Sequence, residues 1–495
     1  MHSKSLPPTL PAGGINSVIE GGYCIGCGAC AAAAPGRFQV RFSTKGTFEA
    51  GPVQSPVSPL GEKDISTVCP FADSSRNEDE LGRGLYSEQA EQAEQAERLG
   101  WQSSSWAVRT TKSQTYQRGT SGGIVRWLCA KLLQLGKIDG AVLVCDTKVE
   151  GTTHPLKAYA ICRTVEEIEN VSRSAYYPVT ADAVFRQMEA EGGRYVFVGV
   201  PCFVKAARLL ARENERFRES LVCCIALFCG HQKSAFFGDF MALQLGVRSE
   251  DLAALDFRHR TPESKADAVA INVTRRDGSS VTAPYAELFG TDYGHGFFKY
   301  KACDFCDDVV GELGDAAVGD AWLPQYLDRG TSIAILRTPF MEELFTNART
   351  TGELWAAPLS CDQVVESQSS NFRHRRDGLR YRLWMKMRAN EWAPSKRCVP
   401  SATHLTRNQQ RVYEERDRVR EESFVRWQLR GGSPQFLSKF IREMRPLTLR
   451  LRRLTATTRS LRFRLLLMEG LSKIGLYEIF RYVFRRFAGL GRRRQ

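Results

Sequence analysis

The segment Tyr195-Val-Phe-Val-Gly-Val-Pro-Cys202-Phe-Val-Lys-Ala-Ala-Arg-Leu-Leu-Ala-Arg212 decides the fold class. Its first six residues are a short unbroken apolar run, the pattern of a strand buried on both faces. From Val204 to Arg212 the period becomes helical. The same switch recurs on both sides. Gly122–Leu135 carries Val125, Leu128, Cys129 and Leu132 at helical spacing and leads into the strand-like run Ala141–Cys145. Leu221–Phe228 and the short Ala316–Val318 add two further strands. Strands alternating with helices from about Trp101 onward predict an α/β core with a largely parallel sheet.

Working outward, 495 residues with 43% hydrophobic and 25% charged composition are ordinary globular material, long enough for several domains. The predicted units are 1–100, 101–345, 346–440 (the end of the core or a small extra domain) and 441–495. Residues 1–22 are rich in Pro, Gly and Ser and read as loose. Gly46, Gly51, Pro52, Pro56 and Pro59 punctuate turns and short strands, and residues 88–96 repeat Glu-Gln-Ala as a connector. No apolar run approaches the ~18 residues that would span a bilayer. Met1–Pro11 lacks the apolar centre of a secretory signal, so a cytoplasmic chain is expected.

Charge is unevenly placed. Of the net +14, +12 lies between Ile441 and Gln495. There Leu476, Phe480, Val483, Phe484 and Phe487 share one helical face, with Arg481 and Arg485 opposite. Such a tail suits an anionic membrane surface, such as the inner membrane face, better than nucleic acid; a solvated helix bundle is the alternative.

Fifteen cysteines in a chain without a signal point to metal ligation or redox chemistry rather than disulfides. Cys24-Ile-Gly-Cys27-Gly-Ala-Cys30 has the spacing that wraps three thiolates around an iron–sulfur cube. The fourth cysteine of a two-cluster ferredoxin motif is replaced here by Ala34, followed by Pro35. Of a second such motif only Cys69-Pro70 remains, with Ser66 three residues before it. Cys24, Cys27, Cys30 and Cys69 therefore form one complete set for a single [4Fe–4S] cluster in a small ferredoxin-like module. A zinc site on the same thiols is the alternative.

A second constellation follows. Cys202 and Cys229 stand at the carboxyl ends of two predicted strands, where open α/β sheets place their ligands. With Cys303-Asp-Phe-Cys306 they would make another four-thiolate site. Cys129, Cys145, Cys162, Cys223 and Cys224 read instead as small buried hydrophobes. Thr120, Ser121, Gly122 and Gly123 precede a strong helix and offer its amide end to a phosphate, although such a sequence is also an ordinary cap.

These motifs, in this order and together with Gly319-Asp320-Ala321-Trp322, resemble the family of the coenzyme F-420 hydrogenase/dehydrogenase β subunit over roughly Cys24 to Arg337. The family includes a deazaflavin-reducing hydrogenase subunit, formate dehydrogenase β subunits, ferredoxin-dependent chlorophyll reductases and bacterial members associated with polysaccharide biosynthesis. The resemblance implies FAD and one or two [4Fe–4S] clusters, with Ser121, Gly122 and Gly123 contacting FAD. It makes Cys202, Cys229, Cys303 and Cys306 ligands of the core cluster. The Gly-Ser-Lys-Tyr segment of many members has only Ser172-Arg-Ser-Ala-Tyr176-Tyr177-Pro178 as its counterpart, and the tail has none.

The function implied is an iron–sulfur flavoprotein reductase. Ferredoxin or a reduced deazaflavin would supply electrons, which pass through clusters and FAD to a small-molecule substrate. His231, beside Cys229, is the candidate proton donor. The alternative is a non-catalytic electron-transfer subunit that docks on a larger redox enzyme.

Overall fold

The computed structural model describes residues 12–54, 64–87, 98–147, 155–260, 269–327, 330–430 and 434–477. The hairpin of β1 (Phe38–Phe42) and β2 (Phe48–Pro52) belongs to the N-terminal region. The core strands are β3 (Ser104–Thr110), β4 (Gly140–Asp146), β5 (Lys157–Cys162), β6 (Tyr195–Gly199) and β7 (Leu221–Leu227). A small antiparallel sheet of β8 (Leu252–His259), β9 (Ala270–Arg275) and β10 (Ser280–Pro284) interrupts them before β11 (Ala316–Asp320), β12 (Ser332–Leu336) and β13 (Leu354–Pro358) complete the core.

The large sheet has the order β13-β3-β12-β11-β7-β6-β4-β5. Its centre, β11-β7-β6-β4, is parallel, as the strand–helix alternation predicts. The flanks are antiparallel: β5 folds back on β4, and β12, β3 and β13 extend the other edge. Every residue of β6 is buried, because helices cover both faces. Val196 and Val198 face the helix Ile124–Gln134 through Trp127 and Leu128. Phe197 faces the opposite way, into a cluster with Phe185, Phe203 and Phe217.

Two stretches differ from their sequence reading, at residues 1–22 and at the 441 boundary. Residues 1–22 were expected to be loose, yet Ile15–Glu20 is helical and buries Ile15 and Val18. The described start of the chain is pinned where Gly13 N–H donates to Asp73 Oδ2 at 2.6 Å. Beyond residue 345, β13 pairs with β3, so the start of 346–440 continues the core, the first of the two readings given for it. The helix Pro434–Thr455 runs through residue 441, and its Phe440, Met444 and Leu447 pack with Phe240, Phe298 and Trp427. The start of the basic segment is thus bound to the body by aromatic packing that local composition does not reveal. The Glu-Gln-Ala repeat, Pro56, Pro59 and residues Phe480–Phe487 of the amphipathic face lie outside the described residues. Among the described residues no helix is long and apolar enough to cross a membrane.

Candidate functional site: two adjoining four-cysteine sets

Cys202 enters from the first turn of the helix Pro201–Glu213, directly after β6. Pro201 suits that first helical turn because its missing N–H would have no partner within the helix. Cys229 follows β7, and its N–H donates to Val309 O at 3.1 Å. Cys303 and Cys306 come from the 3-10 turn Lys301–Phe305 and its end. These four residues line one small cavity with Ile25, Phe71, Gln232 and Arg375. Gln232 N–H donates to Cys303 Sγ at 3.2 Å, and Arg375 Nη1 donates to Cys306 Sγ.

The N-terminal set also converges. Cys24 and Cys27 lie in the loop before the short helix Ala29–Ala33, Cys30 lies on that helix, and Cys69 follows the 3-10 turn Ile65–Val68. Gly26 and Gly28 have φ of +71° and +87°, in the left-handed region, so the loop can fold tightly around its cysteines. Ala50 N–H donates to Cys24 Sγ at 3.3 Å. Burial is the main force raising the thiol pKa values. It pushes Cys69 and Cys229 to about 11 and Cys303 to about 12, with each set's own cysteines adding to the rise. Cys24, Cys27, Cys30, Cys202 and Cys306 are raised in the same direction for the same principal reason.

The two sets adjoin. Ile25, beside Cys24, and Phe71, two residues after Cys69, line the second cavity. All fifteen cysteines are free thiols. Among the described residues no group of three Cys, His, Asp or Glu gathers closely enough to hold a single metal ion. A four-iron cube binds each cysteine through a separate iron and does not need that gathering. Buried, disulfide-free sulfurs that receive amide hydrogen bonds are a donor chemistry suited to such a cube.

Ionic contacts fix the loop that carries Cys303 and Cys306. Asp304, between them, is fully buried against Lys299, with His374 Nε2 at 3.2 Å and Arg420 Nε at 3.5 Å. Arg382 Nε donates to the Asp304 carbonyl at 2.8 Å. These partners hold the Asp304 carboxyl well below the usual range despite its burial.

Thr120–Gly123 precede the helix Ile124–Gln134 as expected, but part of the motif is committed to the sheet. Ser121 Oγ donates to Thr331 O at 2.7 Å, and Gly122 N–H donates to Ser332 Oγ at 3.0 Å. A Cβ on Gly122 would collide with the carbonyl oxygen of Val108 on β3. The first-turn amides of this helix, which by geometry have no partner within it, and Arg260, whose Nη2 donates to Thr120 O at 2.8 Å, are the groups left for an anion. At the strand ends nearby, Arg258 Nη1 meets Asp320 Oδ2 at 2.5 Å, and Arg173 Nη1 meets Asp256 Oδ2 at 3.0 Å.

His231 is buried, with its ring stacked 3.8 Å from Tyr293 and its Nε2 without a hydrogen-bond partner. Burial, reinforced by Lys233 and Lys299, holds it well below its ordinary pKa, so it is a neutral imidazole. Arg375, Asp304 and Arg397 are site residues that sequence reasoning did not single out. Asp304 was in plain view between two candidate ligands, whereas no local pattern links Arg375 to cysteines 69 or more positions earlier.

Residues 105–186 match the family model for the N-terminal part of the coenzyme F420 hydrogenase/dehydrogenase beta subunit, and residues 192–361 match that for its C terminus. An uncharacterised protein of Methanocaldococcus jannaschii is 23% identical over 249 residues, covering 49% of this chain and 62% of its own length. A subunit of the F(420)H(2) dehydrogenase of Methanosarcina mazei is 24% identical over 252 residues, covering 50% of this chain and 64% of its own length. The chain thus spans less than two thirds of the length of both curated relatives. Among solved structures, a chain of the F420-reducing [NiFe] hydrogenase complex from Methanosarcina barkeri matches with 17% identity and a TM-score of 0.41, over 55% of this chain and 90% of that one. With the two family segments together covering just over half of its length, the chain belongs to the family of the coenzyme F420 hydrogenase/dehydrogenase beta subunit.

Proposed function

We propose that this protein is an iron–sulfur oxidoreductase that relays electrons between its two four-cysteine sets and delivers them to a small-molecule substrate. The observation that carries the reading is the adjacency of the sets, with Ile25 and Phe71 from beside the first lining the second. Bound there, [4Fe–4S] clusters would supply one-electron carriers, and a flavin dinucleotide would supply the two-electron chemistry. Cys24, Cys27, Cys30 and Cys69 would hold the first cluster in a ferredoxin-like module. Cys202, Cys229, Cys303 and Cys306 would hold the second.

For FAD, Thr120, Ser121, Gly122 and Gly123 are carried into the proposal with the amide end of Ile124–Gln134 and Arg260; the Ser121 hydroxyl and the Gly122 N–H are also bonded to the sheet. His231, neutral beside the second set, is carried into the proposal as the proton-handling group. The electron donor in this reading is ferredoxin or a reduced deazaflavin. The resemblance to a dehydrogenase subunit also supports the second reading, a relay subunit that docks on a larger enzyme.

Iron, acid-labile sulfide and flavin content of the anaerobically purified chain test the proposal. Roughly eight irons are expected, with Cys27→Ala and Cys303→Ala each removing roughly four. A folded Cys303→Ala protein that keeps all its iron would end the second-cluster reading. Zinc in place of iron would end the redox reading altogether. Reduction of a small molecule by the isolated chain separates the enzyme from the relay subunit.

A further inference from the structure

We infer that Arg375 is the residue that sets the electrostatic poise of the second four-cysteine site, a buried cation presented to its thiolates from a segment outside the matched family regions. The inference rests on the cluster reading of that site. Arg375 is 2% exposed and lines the same cavity as the four cysteines. Its Nη1 donates to Cys306 Sγ and to Asp308 O at 2.8 Å, and its Nη2 donates to Gly230 O at 2.8 Å. The guanidinium therefore bridges the loop after Cys229 and the loop after Cys306.

Charge bookkeeping shows why this contact differs from ordinary packing. The nearby carboxylates are engaged elsewhere: Asp308 accepts from Gly311 N–H at 2.7 Å and Glu312 N–H at 2.9 Å, and Glu312 pairs with Arg397 and Arg376. Among the described residues Arg375 has no carboxylate ion pair, and its buried Nε lacks a hydrogen-bond partner. A buried guanidinium without a counter-anion is strongly disfavoured. Thiolates that hold a cluster would provide the missing negative charge.

The backbone is shaped for this placement. Arg375 sits in the π-helical turn Arg373–Asp377, an uncommon turn often found at functional sites. Its carbonyls are bonded from outside: Arg382 Nη2 donates to His374 O at 2.8 Å, Tyr413 Oη donates to Arg373 O at 3.1 Å, and His404 Nε2 lies 3.0 Å from Asp377 O. The family match ends at residue 361, so the helical segment that brings Arg375 to the cysteines lies beyond it.

Adding one electron to a cluster increases its negative charge, which a neighbouring cation favours. Arg375→Met should therefore lower the reduction potential of the second cluster while leaving the first unchanged. Anaerobically reconstituted full-length protein, its Arg375→Met and Arg375→Lys variants, and Cys303→Ala are compared by iron content and by EPR-monitored titration with dithionite. The expected result is about a tenfold loss in the one-electron reduction equilibrium for Arg375→Met, a shift of about 59 mV, with Arg375→Lys close to wild type. An unchanged potential with full iron in Arg375→Met overturns the inference. If Arg375→Met cannot hold the second cluster, Arg375→Lys decides: retained iron supports the charge role, and lost iron shows a packing role and overturns it. If Cys303→Ala loses no iron, the cluster reading itself fails, and the inference falls with it.

Discussion

Arg397 grips Glu312 with both terminal nitrogens, Nη1 at 2.6 Å and Nη2 at 2.9 Å, across 85 residues of sequence. The same guanidinium reaches Asp307 at 3.2 Å, Asp79 at 2.8 Å and Glu78 at 3.6 Å. One arginine thereby ties the loop after Cys306 to the helix Glu78–Tyr86, which follows the N-terminal cysteine set.

Arg397→Ala would leave Glu312, Asp307 and Glu78 buried with too little positive charge. Removing one partner from a buried ionic group costs about 3–5 kcal/mol. A correspondingly lower denaturation midpoint is expected for Arg397→Ala, with partial recovery in Arg397→Lys. Equal stability of the alanine variant and the parent would show that water compensates these carboxylates.

Asp73 is a second tie between the N-terminal region and the segment around residue 395. Its carboxylate accepts from Gly13 N–H at 2.6 Å, Trp392 Nε1–H at 2.9 Å and Ser395 N–H at 2.8 Å. Asp73→Ala should cost about 1–3 kcal/mol, because charged acceptors make the stronger hydrogen bonds. The loss should be local, seen as faster amide exchange at residues 13–20 and 392–395 with β6 and β7 unaffected.

Gly122→Ala separates a structural glycine from a ligand-contacting one. Its added methyl would strike Val108 O and crowd Ser332, and overpacking of this kind costs about 1–3 kcal/mol. The flavin-free protein should therefore already melt lower in the variant. If the flavin-free melting point is unchanged and only flavin retention falls, the glycine serves the ligand.

The Asp139–Arg194 pair gives a pH dependence of defined sign. Arg194 Nη2 donates to Asp139 Oδ1 at 2.7 Å, and Arg194 N–H donates to Asp139 Oδ2 at 2.8 Å, joining the starts of β4 and β6. Hydrogen bonds from Arg194 lower the Asp139 pKa to about 2. A carboxyl depressed on folding binds fewer protons in the folded state, so its stabilisation is present above the unfolded value of about 3.9 and is lost as pH falls towards about 2. Urea midpoints between pH 5 and pH 2 should fall less steeply for Asp139→Asn than for the parent, and salt should reduce the difference because the pair is exposed.

Much of the core was legible because it is written in local periods. The apolar run Tyr195–Val200 has few alternatives to a buried strand, and the helical spacing after Pro201 reports a face that must find a core. The antiparallel edges were not legible: β12, β3 and β13 join the sheet through pairings between distant segments, such as Thr110 with Leu354. The glycines of the Thr120–Gly123 motif show the complementary limit. Small and hydroxyl residues before a helix suit a phosphate or an ordinary cap alike, yet Gly122 is required by its approach to Val108, a contact between distant segments.

The sequence by itself determined the α/β alternation, the two cysteine motifs and the concentration of positive charge after Ile441, since each depends on residues close along the chain. Only tertiary structure decided that the two cysteine sets adjoin, that Asp304, Arg375 and Arg397 surround them, and that Phe440 and Met444 anchor the first part of the basic segment. Burying charge requires partners within a few ångströms, and chain folding can take those partners from anywhere in the sequence.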